Sequence, residues 1–250
     1  MFAQAAEPLK GPQEANTVPM LCAHLGSWQI SIRRDGYSAS ELAEHYDRAA
    51  PSWGQTAQRY QLVERYSAAL AQSRIPERLS RAGQSPHVLD CGIGTGALTL
   101  ASQGLLPRKA AFCGIDTSAS MLNVADATLR GSGISPSLHQ AEIQDMPFQE
   151  GTFDLVMAAH VLEHLPDPLG GLREMVRVLK PGGHLFLCIT KPSLFGAFIQ
   201  TRWRTWAVSN RQGVQWLRAC GLSHLGLCPV GLGARAGQAS TAFWARKQTI

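Results

Sequence analysis

The sequence predicts an α/β protein with a doubly wound, mostly parallel seven-stranded sheet that carries helices on both faces. From Pro86 onward, short apolar segments that read as strands alternate with segments of helical periodicity, a pattern typical of right-handed crossovers between parallel strands. A glycine-rich turn at residues 92–96 follows the first of these strands. In such sheets, ligands bind at the carboxyl ends of the strands, so we expect the site there.

The strands and helices of this domain are predicted in a regular order along the chain. The predicted strands are 87–90, 110–115, 136–140, 152–158, 184–190, 222–229 and 239–246, and the predicted helices are 97–103, 118–130, 168–179 and 210–219. Asp167 and Pro168 are favourable residues for the start of the third helix, and the segment 180–183, with two glycines after a proline, ends it. The last two strands are expected to complete the sheet.

The part of the chain before residue 86 is predicted in two pieces. Residues 1–36 contain three prolines and no sustained periodicity, so we expect a tail or a loosely packed extension. Residues 37–85 are predicted to hold two helices. The first begins at the capping-box spacing of residues 38–41 and ends at Pro51, and the second runs from residue 56 to 73. The main domain is predicted at residues 86–250.

Composition limits the class of protein more than its function. With 250 residues, of which 45% are hydrophobic and 16% charged, the chain is expected to form one well-buried core. It has no membrane-spanning apolar run and no signal-peptide pattern, and its six scattered cysteines indicate reduced thiols, so we expect a cytoplasmic protein. A net charge of +5 permits an anionic substrate, a membrane surface or nucleic acid, and selects none of them.

The glycine-rich turn predicts a nucleotide-type binding loop. It follows a strand that ends at Asp90, and glycine lets the backbone approach a ligand closely. Gly92, Gly94 and Ala97 also fit the fingerprint of dinucleotide sites, with Asp116 as the ribose-binding acid. However, the carboxylate of Asp90 would repel a pyrophosphate and attract the ammonium and sulfonium groups of S-adenosylmethionine. Charge therefore favours S-adenosylmethionine as the cofactor.

Five segments, in this order and spacing, resemble successive motifs of class I S-adenosylmethionine-dependent methyltransferases: 88–96, 114–122, 141–148, 153–168 and 172–183. Within that family the chain is most similar to the small-molecule branch that includes the ubiquinone and menaquinone biosynthesis enzymes. The resemblance spans about residues 86 to 190 and implies the Rossmann-like methyltransferase fold. It does not specify whether the acceptor atom is oxygen, carbon or nitrogen.

The resemblance and the motif positions together predict the cofactor site. The expected cofactor-binding residues are Asp90, Gly92, Gly94, Gly96, Asp116, Thr117, Met121, Glu142 and Ile143. Asp116 is expected to accept hydrogen bonds from both ribose hydroxyls, and the alternative is that it caps the helix that follows. The family more often has aspartate where this chain has Glu142, which would accept a bond from the adenine amino group. Met121 and Ile143 would supply apolar faces for the ribose and adenine.

The segment His160 to His164 has two histidines one helical turn apart, which is a spacing found in metal sites. Glutamate does not directly follow the first histidine and no third ligand is evident, so we predict no metal. The resemblance places this segment beside the transferred methyl group and the acceptor. His160 is therefore the candidate general base, whereas His164 is expected to point away from the strand end and make a structural hydrogen bond.

The acceptor is expected between the N-terminal helices and a lid. In the resembling family such helices lie over the cofactor cleft, which would bring Tyr46 and Trp53 near it, and ordinary helix packing is the alternative. Residues 191–211 combine aromatic and basic side chains and are predicted to form an acceptor lid, with membrane contact and core packing as alternatives. The lid residues expected to bind the acceptor are Phe195, Arg202, Trp203 and Trp206.

The sequence thus predicts methyl transfer from S-adenosylmethionine to a small, hydrophobic or aromatic acceptor by in-line displacement. The alternative is a cofactor-binding protein without transfer activity that acts as a regulator or assembly partner. A nucleic-acid methyltransferase is not expected, because the Asn/Asp-Pro-Pro-aromatic motif of base methylation is absent. The sequence does not indicate the oligomeric state of the protein.

Overall fold

The structure is a computed structural model that describes residues 17–25, 28–35, 39–83, 85–193, 205, 207–233 and 239–249. Its seven-stranded sheet consists of β3 (His87–Cys91), β4 (Ala111–Asp116), β5 (Ser137–Gln140), β6 (Phe153–Ala159), β7 (Leu179–Thr190), β8 (Leu222–Val230) and β9 (Ser240–Lys247). The described helices are α1 (Ala39–Arg59), α2 (Leu62–Gln72), α3 (Ile75–Arg81), α4 (Ala97–Gln103), α5 (Ala119–Gly131), α6 (Pro168–Val178) and α7 (Asn210–Ala219).

The sheet has the order β5-β4-β3-β6-β7-β9-β8. Neighbours from β5 to β7 pair in parallel, and β9 is antiparallel to both β7 and β8. The chain builds outward from β3 to β5 and then returns to the other side of β3 to form β6. The carboxyl ends of β3 and β6 therefore meet at the topological switch point, where open α/β sheets bind ligands. The predicted doubly wound sheet is confirmed.

Both faces of the sheet are covered by apolar layers. Along β6, Leu155 and Met157 belong to one buried cluster, and Val156 and Ala158 belong to the cluster on the opposite face. This alternation follows from the two-residue period of a strand, and strands buried on both faces read as continuous apolar runs. Each large side chain removed from water in this way stabilises the fold by about 1.5–3 kcal/mol. This packing holds the central strands in place, and with them the carboxyl ends at which a ligand would bind.

The predicted junction between the first two helices was wrong, whereas the start of the first and the end of the second are confirmed. Helix α1 continues through Pro51 to Arg59, although a proline removes one hydrogen bond inside a helix. Tertiary contacts hold the helix in place, since the Asp47 carboxylate accepts bonds from the Ser118 hydroxyl at 2.5 Å and from the Ser120 N–H at 3.1 Å. The break between α1 and α2 falls instead at Gln61, whose φ of 50° lies in the left-handed region.

Residues 17–35 contain two strands that the sequence analysis did not predict. Strand β1 (Thr17–Leu25) and strand β2 (Trp28–Asp35) form an antiparallel hairpin separate from the main sheet. The expectation of a tail rested on three prolines and on the lack of sustained periodicity. Of these prolines, Pro19 lies in β1, where the register shifts between Pro19 and Leu21. A bulge is one of the positions where a strand accepts proline. The domain boundaries at residues 36 and 85 remain predictions.

Candidate active site

A cavity of about 500 Å³ lies at the carboxyl ends of β3, β4 and β6. Its walls come from the turns that follow β3, β4, β5 and β6, from one side of α1 and α2, and from the ends of β7 and β9. This volume falls within the range of sites for small molecules and cofactors. Most of the sequence-predicted site residues for which the structure describes side chains lie in this one cavity.

The glycine-rich turn forms the part of the wall next to β3. Gly92, Gly94 and Gly96 have φ values of 68°, 52° and 88°, which side chains with a Cβ rarely adopt. A Cβ on Gly92 would also overlap the side chain of Val161, because the turns after β3 and β6 approach each other there. Gly92 and Gly94 line the cavity, but Gly96 does not. A Cβ on Gly96 would meet the side chain of Leu129, and the predicted contact of Gly96 with the cofactor stays a prediction.

Asp90 lies at the base of this turn and lines the cavity with a fully buried carboxyl group. Its Oδ2 accepts a hydrogen bond of 2.8 Å from the Thr99 hydroxyl. Burial, with a smaller contribution from the charge of Asp116, raises the pKa of Asp90 from 3.8 to about 7. A bound cation would favour the ionised form of this carboxyl group, so Asp90 is suited to a positively charged ligand.

Asp116 ends β4 and faces the cavity from the adjacent strand. Its two carboxylate oxygens accept hydrogen bonds from the backbone N–H of Gly94, at 2.9 Å, and of Ser118, at 3.0 Å. The cap of α5 is Ser118, whose hydroxyl accepts a bond from the N–H of Met121. The alternative that Asp116 itself caps this helix is therefore wrong. Each oxygen retains acceptor capacity for a further donor.

The remaining predicted cofactor residues line the cavity beyond Asp116. These residues are Thr117, Met121, Glu142 and Ile143. Met121 and Ile143 are buried and offer apolar surface, whereas Glu142 is exposed and lies two residues beyond the last residue of β5. The Glu142 carboxylate and the apolar surfaces of Met121 and Ile143 therefore line the part of the cavity that the sequence analysis assigned to the adenosine.

His160 follows β6 and is held from several directions. Its φ of 59° is in the left-handed region, and its N–H donates to the Cys188 carbonyl at 2.8 Å. The ring Nδ1 lies 2.9 Å from Oε1 of Glu163 and 3.1 Å from the Thr190 hydroxyl. The ring Nε2 lies 3.5 Å from the hydroxyl of Ser240, which also lines the cavity. A residue held at this unusual backbone angle is a candidate for function.

His164 makes the structural hydrogen bond that was predicted, but its direction differs from the prediction. Its Nε2 lies 3.0 Å from the Tyr46 hydroxyl, and His164 lines the cavity rather than pointing away from it. Burial lowers the pKa of His164 to about 4, so this ring stays neutral near pH 7. The Tyr46 ring meets Trp53 edge to face at 5.9 Å, and both aromatic residues line the cavity.

The predicted lid lies largely outside the described residues. Phe195, Arg202, Trp203 and Trp206 are outside them, so their predicted contacts with an acceptor stay predictions. Thr205 is described, buried and part of the cavity wall. Its Oγ1 finds no hydrogen-bond partner among the described residues.

The sequence analysis assigned no role to several residues of the wall, among them Arg65, Tyr66 and Glu163. Arg65 Nε is buried without a hydrogen-bond partner among the described residues. Tyr66 lies with its ring centroid 6.4 Å from that of His160, and burial raises its pKa well above the ordinary range. The sequence analysis considered Glu163 only as part of the segment from His160 to His164, for which it predicted no metal. The helical spacing of Leu62 and Tyr66 was the one signal that α2 turns this face toward the cavity.

No group of histidine, cysteine, aspartate or glutamate side chains in the described part of the chain has the arrangement of a metal site. Over the same residues, no helix is both long and apolar enough to cross a membrane. Five cysteines with described side chains are free thiols: Cys91, Cys113, Cys188, Cys220 and Cys228. Burial raises the pKa of each of these thiols, so they are poor nucleophiles.

Residues 89–187 match the sequence pattern of a family described as "Methyltransferase domain". This segment contains the glycine-rich turn, Asp116 and the His160 turn, so sequence comparison and cavity coincide. The predicted resemblance to class I S-adenosylmethionine-dependent methyltransferases is confirmed, and with it the cofactor class.

Two curated relatives resemble this chain over that region. The ubiquinone biosynthesis O-methyltransferase of Marinobacter nauticus is 38% identical over 116 residues, which cover 45% of this chain and 47% of that protein. The ubiquinone/menaquinone biosynthesis C-methyltransferase of Vibrio vulnificus strain YJ016 is 40% identical over 110 residues, 43% of this chain and 42% of that protein. The chain thus matches less than half the length of either. One relative is named for O-methylation and the other for C-methylation, so likeness alone leaves the acceptor atom open.

A solved structure extends the likeness in fold. An S-adenosylmethionine-dependent methyltransferase from Thermotoga maritima superposes with a TM-score of 0.61 over 81% of this chain and 98% of that one. Its sequence identity is 16%, so it supports the fold. The methyltransferase architecture therefore extends well beyond the matched sequence segment.

Proposed function

We propose that this protein transfers the methyl group of S-adenosylmethionine to a small, hydrophobic or aromatic acceptor. The observation that carries the proposal is the convergence of two turns on one cavity. The turn after β3 presents a glycine-lined wall with Asp90, and the turn after β6 presents an oriented imidazole, His160. The first suits a cationic cofactor and the second suits removal of a proton from an acceptor.

The nucleoside part of the cofactor fits the polar and apolar wall beyond Asp116. In this proposal the Asp116 carboxylate accepts bonds from the ribose hydroxyls while it keeps its bonds to Gly94 and Ser118. Glu142 accepts from the adenine amino group, and Thr117 lines the same cavity. Met121 and Ile143 would cover the ribose and adenine with apolar surface.

The amino-acid part of the cofactor fits the turn after β3 and helix α2. Asp90 would attract the ammonium and sulfonium groups, and binding would hold its carboxyl group ionised. Arg65 is the one lysine or arginine among the described residues that line the cavity. Because the cofactor carries a carboxylate, we assign Arg65 as its ionic partner, which would also satisfy the buried Nε.

The proposed reaction depends on the alignment of the acceptor with the cofactor and on the removal of one proton from the acceptor. When bound, S-adenosylmethionine supplies a methyl group that its sulfonium already activates for displacement. The walls hold acceptor and cofactor in line, and proximity of this kind accounts for about 7–11 kcal/mol of a barrier. His160 takes the proton of the acceptor at Nε2 where the attacking atom carries one. Tyr46, Trp53 and Tyr66 give the acceptor an aromatic surface and exclude water.

The proposal also includes the predicted lid, the class of acceptor and the location of the protein. The predicted lid at residues 191–211, with Phe195, Arg202, Trp203 and Trp206, would close over the acceptor or contact a membrane surface. We expect a small-molecule acceptor and no nucleic acid. We also retain the expectation of a cytoplasmic location, which rests on the free cysteines and on composition.

A protein that binds the cofactor without transferring its methyl group is the second candidate. It would need Asp90 and Asp116, but it would not need a second polar centre. The buried Oε2 of Glu163 and the buried Oγ1 of Thr205 both lack partners among the described residues, and both residues line the cavity. Unsatisfied buried polar atoms cost about 1–3 kcal/mol each, and an acceptor would satisfy them. This favours an enzyme.

Incubation with cofactor labelled at the methyl carbon tests the proposal directly. The protein would be mixed with a metabolite and lipid extract, and the labelled products would be separated and identified by mass spectrometry. We expect a small labelled product that does not form with protein inactivated by heat. Cofactor binding measured in parallel, with no labelled product from any extract, would favour the second candidate.

A further inference from the structure

We propose that Glu163 is the positioning residue that makes His160 a base, by fixing which ring nitrogen carries the proton and by stabilising the protonated ring. This inference rests on the proposed function. It adds a role for a buried carboxyl group that neither the motif pattern nor the resemblance assigned. It also implies that the acceptor presents an ionisable proton, such as that of a hydroxyl group, to Nε2 of His160.

The position of Glu163 is fixed by hydrogen bonds to its neighbours. Its side chain is fully buried, and Oε1 accepts a bond of 3.0 Å from the N–H of Thr190. The same oxygen lies 2.9 Å from Nδ1 of His160. The carboxylate therefore cannot turn away without losing a backbone bond. A single 3₁₀ turn, Leu162–His164, carries Glu163 back toward His160.

The geometry selects one tautomer of His160. Oε1 of an ionised carboxylate only accepts, so Nδ1 must carry the hydrogen that joins it to Glu163. In the neutral ring, Nε2 is then left with its lone pair. This nitrogen lies on the side of Ser240, in the cavity wall, at 3.5 Å from the serine hydroxyl. The free lone pair is thereby available to a proton of the acceptor.

The charges around the pair favour an ionised Glu163. Complete burial raises the pKa of this carboxyl, but the hydrogen bond from His160, the charge of that ring when it is protonated and the bond from the Thr190 N–H act in the opposite direction, and the pKa lies below its ordinary value. From α2 and β7, Tyr66 and Cys188 face the pair as neutral groups, because burial raises both pKa values. A buried anion beside His160 stabilises the imidazolium that forms when the base takes its proton.

Asp90 is another titratable group in the wall of this cavity, and its titration must be separated from that of His160 in a test. Burial raises the pKa of Asp90 to about 7, so it titrates in the same range of pH as an ordinary imidazole. Rates should therefore be measured with saturating cofactor, which holds Asp90 ionised. Nitrogen chemical shifts of the imidazole then report on His160 itself.

The variant that tests the proposal is Glu163→Gln, because the amide keeps the size and the accepting oxygen but removes the charge. With saturating cofactor we expect kcat to fall about 10²-fold, the lower end of the effect of general base catalysis. The ascending limb of the pH–rate profile should move to lower pH, and the cofactor dissociation constant should change less than about threefold. Glu163→Asp, which retains a charge, should restore part of kcat.

Glu174→Gln is the matched control. Glu174 accepts a bond from the Met146 N–H and pairs with Arg177, yet it does not line the cavity. Its loss should leave the position of the pH limb unchanged. Equal effects of Glu163→Gln and Glu174→Gln on kcat, with an unmoved limb in both, would reduce Glu163 to a structural residue.

The nitrogen shifts of the parent protein keep the inference testable even if Glu163→Gln does not fold or no acceptor is found. In the neutral ring we expect Nδ1 of His160 to be protonated and Nε2 to be unprotonated. The opposite tautomer, or an equal mixture of the two, would overturn the positioning role. That result would leave cofactor binding and methyl transfer untouched, so the two proposals fail separately.

Discussion

The end of β3 and the turn that follows β6 bring two fully buried carboxyl groups, Asp90 and Glu163, to one cavity. Burial acts on both in the same direction, yet their pKa values move apart. That of Asp90 rises to about 7, whereas that of Glu163 falls below its ordinary value. Asp90 accepts a bond from a neutral hydroxyl, and Glu163 is paired with an imidazole and a backbone N–H.

This difference assigns the two turns to different partners. Glu163 finds its hydrogen-bond partners, the His160 ring and the Thr190 N–H, within the protein, so its carboxylate is stabilised before any ligand binds. Asp90 has no imidazole partner in the described structure and becomes fully ionised when a cation enters the cavity. The turn after β3 is therefore suited to a cationic cofactor, and the turn after β6 to proton transfer.

The largest expected effect comes from removing the base in the second turn. His160→Gln should lower kcat by about 10²- to 10⁴-fold, because general base catalysis contributes on that order. Cofactor affinity should stay near that of the parent, since the cofactor is assigned to the other turn. Steady-state kinetics and calorimetry on the same preparations separate the two quantities.

His139→Gln is the control for this change, because His139 lies on β5 and does not line the cavity. It should leave kcat near the parent value. Turnover of His160→Gln within a factor of two of the parent would show that alignment suffices or that another group takes the proton.

The next effect concerns stability and pH in the first turn. Because the folded pKa of Asp90 is raised from 3.8 to about 7, the folded state binds more protons than the unfolded state in that window, and this group lowers stability as pH rises through it. A shift of about three units corresponds to up to roughly 4 kcal/mol. Asp90→Asn should therefore gain stability relative to the parent as pH rises from about 4 to 7.

Chemical denaturation of both proteins between pH 4 and 8 measures this difference. The lowered pKa values of His164 and His184, both about 4, act in parent and variant alike and cancel when one curve is subtracted from the other. The same variant should bind the cationic cofactor more weakly. A difference in stability that does not change with pH would mean that Asp90 is ionised in the free protein.

Much of the fold was predictable because its signals are local. The strands from β3 to β7 and the helices between them each carry their own periodicity and caps, such as Asp167, whose side chain accepts the Gly170 N–H at 2.9 Å. The positions of Asp90 and Asp116 at strand ends followed from the same reading. The junction of the first two helices was not predicted, because α1 continues through Pro51 and the break falls at Gln61.

The half of the site assigned to the acceptor was less predictable than the half assigned to the cofactor. A glycine-rich turn can be recognised in the sequence, and it indicates that the backbone approaches a ligand closely. In contrast, Tyr66 reaches the cavity from α2, a helix that precedes the sheet, and its helical spacing from Leu62 does not indicate which ligand it faces. Glu163 acquires its proposed role only through bonds to His160 and to Thr190, which is 27 residues away in sequence.

Calorimetric titration with S-adenosylmethionine tests the central claim, that this cavity binds a cationic nucleoside cofactor. We predict saturable one-to-one binding by the parent, and affinity lower by about 10- to 150-fold in Asp116→Ala, which loses two hydrogen bonds to a charged acceptor. Nicotinamide dinucleotides should bind poorly, because Asp90 repels their pyrophosphate. Tight binding of a dinucleotide, with no heat from S-adenosylmethionine, would contradict the account.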